Sequence, residues 1–229
     1  MSEIVAPPAR ATILAPLQRI CDLPIDPNLI AALAAMLLGY LLGSIPFGVL
    51  LTRAAGAGDL RQIGSGNIGA TNVLRTGRKG LAAATLLLDA AKGWAAVVLA
   101  ERLWPGTMLG TSIGVLAAAA AFIGHCYPVW LGFKGGKGVA ILMGIVLALH
   151  PPSALVYAAV WLVLLAGLRI SSVAGIGAAI SAPVAVACFG RFNLVLLLLG
   201  LSAIVLWKHR ANIDRLMKGA EPRIGASHG

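Results

Sequence analysis

The sequence predicts an all-α fold: a polytopic membrane bundle of seven transmembrane helices, with a short fourth span and a cytoplasmic C-terminus. Three observations carry this expectation. Of 229 residues, 59% are apolar and 11% carry charge, with a mean hydropathy of +0.90; a water-soluble domain has roughly 25% charged and 45–50% apolar residues. The apolar residues gather into stretches near the ~20 residues that cross a bilayer. The net charge of +10 falls on one set of alternating loops. Such hydrophobicity also excludes a disordered chain.

Residues 1–28 form an N-terminal extension in which Pro7, Pro8, Pro16, Pro24 and Pro27 interleave with charges. A secretory signal has instead a basic start and an unbroken apolar run, so the first apolar stretch reads as a retained span. Ile13, Leu17 and Ile20 recur at helical spacing, which fits a short interfacial helix within the extension. The bundle occupies 29–207, with stretches at 29–52, 80–100, 108–127, 139–149, 153–168, 172–189 and 193–207, and 208–229 is a cytoplasmic tail. The fourth stretch is ended by His150-Pro151-Pro152, because proline cannot continue a helix. It is either a short helix buried by its neighbours or half of a re-entrant hairpin.

With seven spans, one face collects thirteen cations against Asp59, Asp214 and Glu221, and the loops of the other face sum to zero. The positive-inside rule assigns the cationic face to the cytoplasm. The charge therefore needs no nucleic-acid partner, and no aromatic residues interleave with the basic segments to stack bases. Cys21, Cys126 and Cys188 have no disulfide or zinc spacing, so neither metal nor cofactor is expected.

Three polar segments share the cationic face. Gly64-Ser65-Gly66-Asn67-Ile68-Gly69-Ala70-Thr71-Asn72, followed by Arg75, matches GxGxxG, but a dinucleotide fingerprint needs a strand and a βαβ unit. It reads as a backbone cradle with a guanidinium fork for phosphate, or as a flexible linker with stop-transfer charges. Gly132-Phe133-Lys134-Gly135-Gly136-Lys137-Gly138 lacks P-loop spacing, yet it places a dicationic glycine turn at the start of the fourth span, where unpaired N–H groups favour an anion. His209, Asn212 and Arg215 recur every three residues, so they share a helix face, either in a site or on an amphipathic tail against anionic lipid. Asp89 and Lys92, at i and i+3 inside the second span, read as a mutually neutralising pair. Carboxylates are too scarce at this face for magnesium-assisted transfer, and no Ser-His-Asp order or activated cysteine is present, so chemistry must rest on positioning and charge neutralisation.

These three segments, together with Ser44-Ile45-Pro46-Phe47-Gly48 and Asp89-Ala90-Ala91-Lys92-Gly93, resemble motifs of the bacterial PlsY family over about residues 29–221. The resemblance implies a seven-span inner-membrane enzyme with a cytoplasmic active site. It implies transfer of a fatty acyl group from acyl phosphate to the 1-hydroxyl of glycerol 3-phosphate, giving lysophosphatidic acid and phosphate. It nominates Ser65, Arg75, Lys137, His209 and Asn212 for catalysis, with Asn67, Thr71, Asn72, Lys134, Gly135, Gly136 and Gly138 completing the substrate site; the base is His209 or a substrate phosphate. Two departures stand out: Ile141 and Ala220 occupy positions where the family commonly has threonine. A different class, an organic-anion transporter or channel, would also account for cationic loops and buried charges, although no repeat relates the two halves and the cations avoid the midplane.

Overall fold

A computed structural model describes residues 26–225. The expected interfacial helix and Cys21 lie outside the described residues. The chain runs α1 (Pro27–Gly43), α2 (Phe47–Ala54), a 3₁₀ turn (Leu60–Gln62), α3 (Ala70–Leu74), α4 (Lys79–Leu103), the strands β1 (Thr107–Met108) and β2 (Thr111–Ser112), α5 (Ile113–Cys126), α6 (Val139–Leu149), α7 (Pro151–Leu168), α8 (Ser171–Cys188), α9 (Val195–Lys208) and α10 (Arg210–Met217).

Five segments are long and apolar enough to cross a membrane: Pro27–Ala54, Lys79–Leu103, Ile113–Leu131, Pro151–Leu168 and Ser171–Cys188. Phe192–Lys208 and Arg210–Met217, bent by 58°, make a sixth when taken together, and α6 is a shorter apolar helix of 11 residues. The protein is thus a helical, multi-pass membrane bundle, and α6 occupies the residues expected of the short stretch.

Local chemistry sets the element ends. Asp26 accepts a hydrogen bond from the Asn28 amide at 2.9 Å and Pro27 opens α1, the arrangement in which a missing proline N–H costs least. The stretch expected at 29–52 breaks at Pro46; the carbonyls exposed there are taken by Trp130 Nε1, donating to Ser44 O at 2.8 Å, and by Lys92 Nζ, donating to Ile45 O at 2.7 Å. The stretch expected at 108–127 begins instead as an antiparallel strand pair, Thr107 opposite Ser112 and Met108 opposite Thr111. Ser112 Oγ then accepts the Gly114 amide at 3.2 Å and starts α5 at Ile113. His150-Pro-Pro ends α6 and opens α7, with the His150 ring accepting the Ser153 amide.

The packing inverts that of a soluble protein. On α1 the buried residues are Ala32, Ala35, Gly39 and Gly43, whereas Leu33, Leu37 and Leu41 face outward. Lipid is as apolar as leucine, so helices associate by close backbone approach over small residues. A Cβ on Gly39 or Gly43 would run into the backbone of Ala117 or Ala121 on α5. Inside, Phe122, Ile141, Leu142, Ile145 and Tyr157 form the main core. The Tyr157 hydroxyl donates to the Val139 carbonyl at 2.8 Å and fixes the first turn of α6.

Candidate active site

The loop from α2 to α3 is held by its own side chains. Asp59 caps the 3₁₀ turn by accepting from the Arg61 amide, and it pairs with Arg61 at 2.6 Å and Arg53 at 3.2 Å. Hydrogen bonds from Arg61 hold its carboxyl well below the usual carboxylate range. Buried Asn72 is the organiser: its Nδ2 donates to Leu60 O at 3.0 Å and Ile63 O at 2.8 Å, and its Oδ1 accepts the Ser65 amide at 3.2 Å. Asn67 Oδ1 accepts the Gly69 amide at 3.0 Å. Gly64 lies at φ 55°, against Asn72 and Arg75, where a side chain would strike both. Ser65, Asn67, Thr71 and Arg75 are thereby turned into one cavity.

The second segment wraps the end of α5. The Gly136 amide donates to His125 O at 2.9 Å and the Gly135 amide to Cys126 O at 3.2 Å. Lys208 from the end of α9 donates to Cys126 O at 2.9 Å and sits 4.5 Å over the Tyr127 ring, joining this segment to the third. Gly138, at φ 88°, precedes α6.

The third segment supplies His209 and Asn212, both buried. His209 Nδ1 donates to Val205 O at 2.8 Å, which leaves Nε2 as the nitrogen with a free lone pair. Burial pushes its pKa down to about 4, so the ring is neutral at pH 7. Asn212 Oδ1 accepts from Lys137 Nζ, and its Nδ2 donates to Glu221 Oε1 at 2.6 Å. Glu221 also accepts from Ser172 Oγ at 2.7 Å and from Arg215 Nε at 2.7 Å. Burial opposes its charge, but these three donors together outweigh burial and hold its pKa below the ordinary value. Lys137 is pushed down to about 8, mainly by burial, with Glu221 working the other way.

All three segments line a single cavity of about 560 Å³, within the usual range for small-molecule sites. Ser65, Asn67, Thr71, Asn72, Arg75, Lys137, Gly138, His209 and Asn212 reach it. Three expected members do not. Lys134 is exposed outside it, and Gly135 and Gly136 serve packing: a Cβ on Gly136 would collide with the His125 ring, and one on Gly135 with the His125 carbonyl and Pro128. Asn72 borders the cavity, but its polar atoms are largely spent on the loop.

Other wall residues were not nominated for the site from the sequence. Glu221 and Ser172 lie far apart in the chain, and only the fold makes them partners. Asp89 and His125 also border the cavity. Asp89 Oδ1 is 2.7 Å from Lys92 Nζ and 3.7 Å from His125 Nδ1, so the expected Asp89–Lys92 pair forms, and Lys92 in addition closes the break between α1 and α2. Paired charges on one helix were readable from spacing; their place in the cavity wall was not.

Residues 33–219 match the family model described as glycerol-3-phosphate acyltransferase. The glycerol-3-phosphate acyltransferase of Maricaulis maris is 57% identical over 199 residues, covering 86% of this chain and 89% of the relative. The chain belongs to the glycerol-3-phosphate acyltransferase family. The Mesorhizobium japonicum acyltransferase is 55% identical over 192 residues, 84% of this chain and 95% of that one. Among solved structures, the integral membrane glycerol 3-phosphate acyltransferase PlsY in its glycerol 3-phosphate form superposes with a TM-score of 0.78 at 38% identity, covering 85% of this chain and 96% of that chain. Its lysophosphatidic acid form gives 0.76 at 36% identity, covering 85% and 95%.

Proposed function

We propose that this acyltransferase moves a fatty acyl group from acyl phosphate to the 1-hydroxyl of glycerol 3-phosphate, producing lysophosphatidic acid and inorganic phosphate, the first acylation of phospholipid synthesis. The observation that carries the reading is convergence: three chain segments, remote in sequence, present hydroxyl, amide and cationic groups to one cavity. Both substrates bear phosphate, and Arg75 and Lys137 suit that charge, Arg through its planar fork and Lys as a point charge. Ser65, Asn67 and Thr71 add neutral hydrogen-bonding groups beside Arg75.

The step balances simply. The glycerol 1-hydroxyl oxygen attacks the acyl carbonyl carbon, the bond from that carbon to the phosphate oxygen breaks, phosphate leaves with the electron pair, and the hydroxyl proton passes to phosphate. Phosphate has a second pKa near 6, well above the value of about 4 at His209, so the substrate is the stronger base. His209, neutral and fixed through Nδ1, then acts by accepting a hydrogen bond at Nε2 from the 2-hydroxyl of glycerol 3-phosphate, which positions the neighbouring 1-hydroxyl for attack. Arg75 and Lys137 stabilise the charge that grows on the departing phosphate.

Seven spans, with the cavity opening to the cytoplasm at the inner membrane, complete the reading; it is supported by the six long apolar segments counted with the bent pair, by α6 as the remaining apolar helix and by the one-sided charge of the loops. The test is phosphate release by the purified protein: release from acyl phosphate that requires glycerol 3-phosphate, with equimolar lysophosphatidic acid, is expected. Glycerol 3-phosphate uptake into sealed vesicles without phosphate release would instead support an anion transporter. His209→Gln is expected to retain more than about a tenth of kcat, because a true general base contributes 10²–10⁴-fold; a loss in that range would return the proton to His209.

A further inference from the structure

We infer that Arg223, on a C-terminal strap along the cavity wall, is a further residue that grips a substrate phosphate. The inference rests on the acyl-transfer reading above and adds a residue that lies beyond the family match, which ends at 219.

The strap is pinned on both sides of Arg223. Two residues before it, Glu221 is held by Ser172 of α8 and by Asn212 and Arg215 of α10. One residue after it, the Ile224 amide donates to Arg169 O at 2.7 Å and Arg169 Nε donates to Ile224 O at 3.1 Å. Arg169 stands at the α7–α8 corner with φ 59°, a left-handed conformation uncommon outside glycine. Residues 221–225 thus lie along the cavity wall rather than away from it, and all five border it.

Charge completes the case. The carboxylates of the wall are already matched: Asp89 with Lys92 at 2.7 Å, and Glu221 with Arg215 at 2.7 Å. Of the Lys and Arg residues bordering the cavity, there remain Arg75, Lys137 and Arg223. Two bound phosphate groups carry about −3 to −4 at pH 7, each being between about −1.5 and −2. Arg75 and Lys137 alone leave roughly a third to a half of this unmatched, and Lys134 does not border the cavity. The Arg223 side chain is exposed and, among the described residues, has no hydrogen-bond or ion-pair partner. A guanidinium carried on backbone pinned beside the site, and uncommitted in the unliganded fold, is suited to bidentate contact with a phosphate. The phosphate could belong to glycerol 3-phosphate or to the acyl donor.

Steady-state kinetics with each substrate varied in turn distinguishes these sources. Arg223→Ala is expected to raise KM for one of them at least about tenfold, the range of a lost hydrogen bond to a charged group, with kcat within about twofold; Arg223→Lys should fall between Ala and wild type. Ile224→Pro, which removes the amide that donates to Arg169 while keeping Arg223, should raise the same KM. Unchanged KM for both substrates in Arg223→Ala, or a loss confined to kcat, would overturn the inference. Inorganic phosphate provides a readout that does not depend on turnover: thermal protection of the wild type by phosphate should weaken in Arg223→Ala. Equal protection of the two proteins refutes the role of Arg223, whereas weakened protection without acyl transfer sustains it and refutes the assigned reaction.

Discussion

Lys137 shows how one side chain reports its surroundings. The sequence marks it as a cation in a glycine turn; the fold buries it, hydrogen-bonds it to Asn212 and lowers its pKa to about 8, chiefly through burial. Below that value the ammonium is present, as the proposed phosphate contact requires; as pH rises through about 8 the free enzyme loses it. kcat/KM for the phosphate substrates should therefore fall on the alkaline side with a one-proton slope, and Lys137→Arg should abolish that limb, because guanidinium stays charged. Persistence of the limb in the Arg variant would move the titration to another group. Asn72 teaches the complementary lesson. Residue type alone suggested a ligand, but its amide is satisfied by Leu60, Ile63 and Ser65, so removing it should act through the shape of the loop.

At the scale of elements, the turn between α5 and α6 is built by contact. The sequence offers four glycines in seven residues at 132–138 beside two lysines, which reads as a nest for an anion, although helix capping and loop entropy would explain some of them. Gly136 serves packing instead, since a Cβ there would overlap the buried His125 ring that lies against Asp89. Gly136→Ala should destabilise the protein by about 1–3 kcal/mol, the cost of overpacking, and lower kcat/KM by displacing adjacent Lys137. Gly80→Ala is the control: it faces open space on α4, so stability should hold or rise, as expected for alanine replacing glycine in a helix. A thermal melt in which the two variants match would contradict this role for Gly136. Helix limits at caps and prolines were legible because they are local. The strand pair at 107–112 was missed because Met108 continues the apolar run in hydropathy although Gly106 and Gly110 turn the backbone.

For the whole molecule, the proposed arrangement fixes which side of the membrane each exposed loop occupies. Single cysteines at Thr71, Lys134 and Lys218, introduced in a background lacking Cys21, Cys126 and Cys188, should all react with an impermeant thiol reagent from the cytoplasmic side. A cysteine at Leu109, 95% exposed in the turn between β1 and β2, should react only from the other. Labelling of Thr71 and Lys218 from opposite sides would break the single-site reading, since their segments must share one pocket.

Hydropathy and charge asymmetry by themselves determined that the chain is a multi-pass helical membrane protein, because crossing a bilayer demands long apolar helices whatever their packing. The motif order also determined the family. Tertiary structure alone decided which polar residues face the cavity. Lys134 points out while Lys137, three residues on, turns in, and Ser172 and Glu221, which the chain separates, meet as donor and acceptor. The reason is that span formation answers to the average polarity of a local window, whereas a site depends on the direction of single side chains, and direction is set by neighbours that arrive from distant parts of the chain.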